Sequence, residues 1–399
     1  MTAIQYTLTA IYLTPFALFA SSTSDKTPSI GLDAISELGF KAIPNIMINY
    51  KHDDNITNTK ANHQASHFTE IIPSLRIEGQ KYNNLFSFAY QARQSLYGDN
   101  TDLNYTDHQF HARLSRDMNK RHRLAFSYQF DIGHDPANTG ISEGNEQITT
   151  PAIFYTQSTQ LSYSYGSKTS KAILEPRFGF NDKRYDDNSG NDVSMANFDE
   201  YNYGLSIYYN IAASLKILFD MSSTTSDYAG NNKQKDSQNG LVYTGLNWDI
   251  TGKTKGSLKV GYEKINFADS TKDSQASPSW DIGVSWYPKT YSVFTLNTKQ
   301  KITQAILNTD SIKTNSNSIS WQHKWRHNLS SSLSYNNLRE KYQSSAREDI
   351  SNAINISFSY QFRYWLAFGL SYEYKDKSSS ESQFEYDKNI YGLTSKFVF

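Results

Sequence analysis

The sequence predicts an all-β protein, a transmembrane antiparallel up-and-down β-barrel of about 18 strands (16–18), with short periplasmic turns and longer extracellular loops. Three observations predict it. First, apolar and polar residues alternate with period two over runs of about ten residues or more, which suits strands of about 9–11 residues tilted through a bilayer rather than the shorter strands of about 5–6 in soluble sheets. Second, the mean hydropathy is polar although aromatic residues make up 14% of the chain, with 29 Tyr and 22 Phe. A polar lumen with polar loops, aromatic girdles and a thin apolar outer band reconciles the two. Third, connections alternate between tight ones, such as Lys81-Tyr82 and Gly252-Lys253, and long ones rich in Asp, Asn, Ser and Gly, such as 53–62 and 135–146. With an even strand count both termini lie on the short-turn rim, which is then periplasmic.

Taken in order, residues 1–20 read as a signal peptide, with an apolar core around Ile11–Leu13 and Phe16–Ala20 and cleavage near Ala20. The segment departs from the usual pattern: no Lys or Arg precedes the core, and Leu18 sits where a small residue is preferred. A polar periplasmic lead follows over 21–42, and the barrel occupies 43–399. Its strands are expected at 43–53, 67–79, 83–95, 103–116, 121–134, 151–165, 170–184, 198–211, 213–225, 237–250, 255–268, 275–287, 291–304, 314–325, 327–341, 347–362, 364–376 and 385–399. Parity assigns faces. Leu124, Phe126, Tyr128, Phe130 and Ile132 face lipid, as do Trp280, Ile282, Val284 and Trp286, while Arg123, Ser127 and Asp131 face the lumen. Tyr360, Tyr372, Trp321 and Trp325 fall near strand ends, where amphipathic rings sit at headgroup level. After the amino terminus no apolar stretch is long enough for a helical span.

The last strand carries Tyr391, Leu393, Phe397 and Phe399 on one parity. This resembles the assembly signal of bacterial outer-membrane barrels and implies recognition by the barrel-assembly machinery. The bilayer lipid and lipopolysaccharide are the other partners such a barrel meets.

The chain has no cysteine and a formal net charge of zero, which gives no electrostatic basis for a nucleic-acid partner. The inward parity nevertheless carries many charges of both signs: Arg76, Glu78, Arg93, Arg113, Arg123, Asp131, Glu175, Arg177, Lys216, Asp220, Lys259, Glu263, Lys299, Lys324 and Glu373. Unpaired charges are too costly to desolvate, so the lumen must be wet or cross-linked by ion pairs. The inward arginines Arg93, Arg113, Arg123 and Arg177 are expected to form a basic stripe.

No catalytic residues, metal or cofactor are expected. His108 and His111 are three apart and fall on opposite faces of a strand, so they do not share a metal. His323 with Ser331 or Ser320 lacks an acid, and His134 beside Asp131 and Asp135 carries no protease motif. The acidic stretch Asp53-Asp54-Asn55 reads as an Asx-rich turn.

A family resemblance rests on turn and girdle residues. These are Ser345-Ala346-Arg347-Glu348-Asp349, the run from Tyr360 through Arg363, Trp365 and Gly369 to Tyr372, and Phe384-Glu385-Tyr386-Asp387-Lys388-Asn389. With them stand Ile48-Asn49-Tyr50 before Asp54-Asn55-Ile56, and Tyr105 with His108. The chain resembles the β-barrel porins encoded in bacterial exopolysaccharide gene clusters. The resemblance implies an eighteen-stranded barrel that passes a secreted polysaccharide chain across the outer membrane, downstream of a periplasmic polysaccharide export protein. The alternative that the barrel alone supports is a diffusion porin for small solutes.

Overall fold

A computed structural model describes residues 39–144, 150–186, 193–230, 233–250, 252–304, 310–343 and 345–399. The chain forms β1 (Phe40–Asp53), β2 (Ser66–Lys81), β3 (Asn84–Tyr97), β4 (Tyr105–Asp117), β5 (His122–Asp135), β6 (Ala152–Tyr165), β7 (Ala172–Tyr185), β8 (Phe198–Ala212) and β9 (Leu215–Tyr228). It continues through β10 (Ser237–Ile250), β11 (Thr254–Phe267), β12 (Gln275–Lys289), β13 (Ser292–Gln304), β14 (Ser311–Arg326), β15 (Leu329–Tyr342), β16 (Glu348–Arg363), β17 (Leu366–Ser379) and β18 (Tyr386–Val398). Each strand pairs antiparallel with its neighbours in sequence, and β1 pairs with both β2 and β18, so the eighteen-stranded sheet closes on itself. The expected strand count holds. One boundary is corrected: β1 begins at Phe40, so residues 40–42 of the expected lead are strand, paired with Ile77, Glu78 and Gly79. The expected signal peptide lies outside the described residues.

The strands are 13 to 16 residues long. At about 3.3 Å per residue they are long enough to cross the hydrocarbon at a tilt and to project beyond it. No helix of the described residues is long and apolar enough to cross a membrane. The register keeps the two faces apart. On β17 and β18 the apolar positions Phe368, Leu370, Tyr391 and Leu393 stand on the outer face, Leu370 being 57% exposed, while Ser371, Glu373, Gly392 and Thr394 stand on the inner one. Girdle rings pack on each other on the outer face, as in Tyr372 with Tyr391 across β17 and β18, 5.2 Å between centroids, and Phe294 with Trp321 across β13 and β14, 6.0 Å.

These facings set up a test on adjacent residues. Leu370→Arg should lower the refolding stability in liposomes by about 2–4 kcal/mol if the residue lies near the midplane, whereas Ser371→Arg should cost little. Equal losses in a urea titration would overturn the assignment of faces.

One irregularity of the wall is stitched by side chains. Above the Trp280–Gln300 pair, β12 and β13 stop pairing, and side chains stitch the gap. The Ile302 amide donates to Glu263 Oε2 (2.8 Å), Ser279 Oγ donates to the Gln300 carbonyl (2.6 Å), and Gln300 Nε2 donates to the Pro278 carbonyl (2.7 Å). The upper end of β13 leans against β11, and Ile302 is buried there although it has outward parity. Gly261 permits this packing. Tyr243 and Ser279, its register neighbours on either side, hydrogen-bond at 2.6 Å, and a Cβ at Gly261 would lie 1.8 Å from the Val242 carbonyl oxygen.

Candidate functional site

The inner face of the barrel carries the charges singled out from the sequence, several of them in ion pairs. Arg177 is bound to Asp220 (2.9 Å), which also accepts from Ser206 Oγ (2.5 Å). Lys299 pairs with Asp281 (3.3 Å), Arg76 with Glu78 (3.4 Å), Glu373 with Lys375 (3.2 Å) and Lys51 with Glu70 (2.8 Å). Glu175 accepts from Ser164 Oγ (2.8 Å), Asp131 from Gln129 Nε2 (2.5 Å), and Glu263 from Asn239 Nδ2 (2.7 Å). Lys259 faces Asp281 in register, Lys216 lies between Asn210 and Asn247, and Lys324 faces Ser330 at the periplasmic end.

The four inner arginines therefore do not form an unbroken basic stripe. Arg177 is neutralised by Asp220, while Arg93 faces Asp107 and Arg123 faces Asp117 across the register. Arg123 also donates to the Gly166 carbonyl (2.7 Å), and Arg113 stands beside His111 on the inner face. Parity places a side chain on a face. It does not reveal the acid that a neighbouring strand brings alongside.

Where β13 leans inward, the Lys301 ammonium comes within electrostatic reach of Glu263 on β11 and of Glu200 on β8, five strands away around the wall.

The mouth is roofed by loops. The β5–β6 connection, which includes a 3-10 turn at Gly140–Ser142, reaches over to β17. These two attachment points are six strands apart through β1, one third of the eighteen-strand circumference. Its Glu143 is clamped by Arg347 (2.9 Å) and by Lys377, and Asp349 accepts from Arg347 Nε (3.0 Å) and lies 3.1 Å from Lys377 Nζ. Arg347 lies over the rings of Phe384 (3.3 Å) and Tyr342 (4.2 Å), a cation–π arrangement. Burial works against the Arg347 charge, but Asp349 and Glu143 outweigh it and push its pKa further up. Gly144, at φ 76°, brings the loop against Phe384, where a Cβ would lie 2.5 Å from the ring.

The β1–β2 loop joins the same roof. Asn58 Nδ2 donates to the Ala137 carbonyl (2.9 Å), Asn138 Nδ2 donates to the Asn58 carbonyl (2.7 Å), and Ile56, Leu103 and Ala137 bury one another. Lys60 binds Glu385 and, with the Ser379 amide, holds that carboxyl below its usual range. Neither the roof nor its partners was identified from the sequence as a working part. The signal was present in the motif residues Arg347, Asp349 and Phe384.

The alternatives weighed from the sequence find these positions. Ser331 faces His323 directly on the outer face, but its Oγ accepts from Trp325 Nε1 (2.9 Å), and Ser320 is on the inner face. His134 binds Asp107 (2.8 Å) rather than Asp131 or Asp135, and Asp135 accepts from Tyr185 OH (2.8 Å). Asp53 accepts the Asn55 amide (2.9 Å), an Asx turn. Among the described residues no three His, Cys, Asp or Glu side chains are grouped to hold a metal.

The family model described as "Putative beta-barrel porin 2" matches residues 39–398. The chain belongs to that porin family. No curated protein matches this porin in sequence. Among solved structures, Pseudomonas aeruginosa OccK2 (OpdF) is similar at 8% identity with a TM-score of 0.51, over 90% of this chain and 98% of that one. The FrpB iron transporter of Neisseria meningitidis matches at 11% identity and a TM-score of 0.47, over 92% and 82%. The siderophore receptor PirA of Acinetobacter baumannii matches at 6% and 0.48, over 90% and 80%. The likeness to OccK2 is one of fold. Membership of a porin family makes this barrel an outer-membrane, porin-like channel.

Proposed function

We propose that this porin passes a secreted exopolysaccharide across the outer membrane. The observation that carries the reading is the closed eighteen-stranded wall with a polar inner face along its length. Barrels of about this strand number leave an aqueous path once their side chains are placed. The resemblance of the Arg347–Asp349 and Phe384–Asn389 motifs to porins of exopolysaccharide gene clusters supports the choice of cargo. On this reading the charged inner residues line the path, a periplasmic polysaccharide export protein docks on the short-turn rim, and the loop roof is the exit.

A second reading has its own observation. The inner wall carries opposite charges in close pairs, such as Arg177 with Asp220 and Lys299 with Asp281, which suits a diffusion porin for small solutes. Deleting the gene separates the two. The export reading expects surface polysaccharide to vanish while polymer collects in the periplasm. A deletion strain with full extracellular polysaccharide and slowed uptake of small solutes would establish the diffusion porin instead.

A further inference from the structure

One sector of the inner wall differs from the rest. On β14, β15 and β16 the inward positions over 316–322, 330–338 and 351–361 carry no charged residue. In their place stand short hydroxyl and amide side chains. Ser318, Ser320, Ser332, Ser334, Ser357 and Ser359 form a contiguous block, since Ser320 faces Ser334, Ser332 faces Ser357, and all six share the inner face.

The hydrogen-bonding capacity of this block is largely unspent. Ser318 Oγ accepts from Asn297 Nδ2 (3.2 Å), while the other five make no side-chain hydrogen bond within the described residues. None of the six hydroxyl oxygens is buried without a partner, so those five open to solvent. Inward positions on one strand recur about every 6.7 Å, so four in succession offer hydroxyls and amides over about 20 Å of path. The charges elsewhere lead to the same cargo by a separate route. Arg177 with Asp220, Lys299 with Asp281 and Glu373 with Lys375 are satisfied within the wall. A polyanion in transit would find no continuous counter-charge to follow.

Taking the lumen as a glycan path, we propose that the β14–β16 wall is its contact surface and that the cargo is an uncharged, hydroxyl-rich chain. A neutral polyol exchanges its hydrogen bonds to water for hydrogen bonds to serine nearly one for one. Such contacts are individually weak, so the chain is held to the wall without being trapped, which is what conduction requires. Short side chains also leave the wall smooth, so a sugar ring meets no projecting cation or carboxylate as it slides.

The test is current block of the purified full chain in planar bilayers. Maltoheptaose is the neutral probe, and heptagalacturonic acid is the anionic probe of equal length. Maltoheptaose should interrupt the ion current with an affinity unchanged between 0.1 and 1 M KCl, since neutral contacts are not screened (salt values of this order span Debye lengths from about 10 to 3 Å). The variant S320V/S334V/S357V, shown to be folded by its heat-modifiable mobility, should weaken that block at least tenfold while open-channel conductance stays within about twofold. Tighter, salt-sensitive block by the heptagalacturonate in the unmodified protein would overturn the proposal without any variant. A valine variant blocked as tightly as the parent would do the same. If the channel conducts and neither sugar interrupts it, the glycan-path reading itself falls, and this inference with it.

Discussion

Glu143→Gln should open the mouth. In the folded protein the Glu143 carboxylate is shared by the buried Arg347 and the partly buried Lys377, and removing its charge leaves these two cations with Asp349 and the neighbouring Glu340. Breaking one partner of such a buried cluster costs about 3–5 kcal/mol. The tether from the β5–β6 loop to β17 spans a third of the rim and should loosen by roughly a hundredfold or more, at about 1.4 kcal/mol per tenfold. The expected result is a higher unitary conductance in planar bilayers and faster protease cleavage in the 136–144 segment. Lys377→Met should act in the same direction, because it releases Glu143 from the other side. An unaltered conductance together with an unaltered cleavage rate would show that the roof is held elsewhere, for instance by the Asn58–Asn138 exchange.

Replacing Phe397 and Phe399 together by Asp should nearly abolish the mature protein in the outer membrane. β18 presents Tyr391, Leu393 and Phe397 outward, and Phe397 stacks on Trp365 at 6.3 Å. The Phe399 amide is tied to the Pro44 carbonyl at 3.1 Å, so the end of the chain is held at the closing seam. Two carboxylates there would be unfavourable at the bilayer interface and would also disturb the outward aromatic pattern expected to be read during insertion. The measurement is the amount of heat-modifiable barrel in membrane fractions against the amount degraded in the periplasm. Normal membrane levels of the double variant would dismiss the assembly signal.

Period-two alternation was enough to find all eighteen strands, because on a membrane barrel the outer face must be apolar and the inner face need not be. Leu366–Tyr374 shows this most cleanly, with every second residue apolar or aromatic and Phe368 and Leu370 exposed. The lumen was less legible. Alternation says that Arg177 points inward, but Asp220, which cancels it, is 43 residues away in sequence. The neutral serine block was visible residue by residue in 316–320, 330–334 and 357–359, but only the register shows that these runs are adjacent. The roof was hardest to foresee, since it joins loops whose contacts follow no period. The family motifs nevertheless fell on it: Arg347, Asp349, Phe384 and Asn389 knit the loops to each other and to the strand ends at the mouth.

The seam between β1 and β18 has a consequence for biosynthesis. Lys388 Nζ donates to Asp53 (3.0 Å), the Asn389 amide and side chain donate to Asp54 (2.7 and 2.8 Å), and Asn55 Nδ2 donates to the Asp387 carbonyl (2.9 Å). These partners are separated by 335 residues or, for the last, by 332. Such contacts form only after nearly every other strand is in place, and a sheet that stops short of β18 keeps two bare edges. The clasp therefore depends on the presence of the last strand. A chain that stops before Asp387 lacks these partners and should fail to close its sheet, leaving a product with two bare edges open to proteolysis.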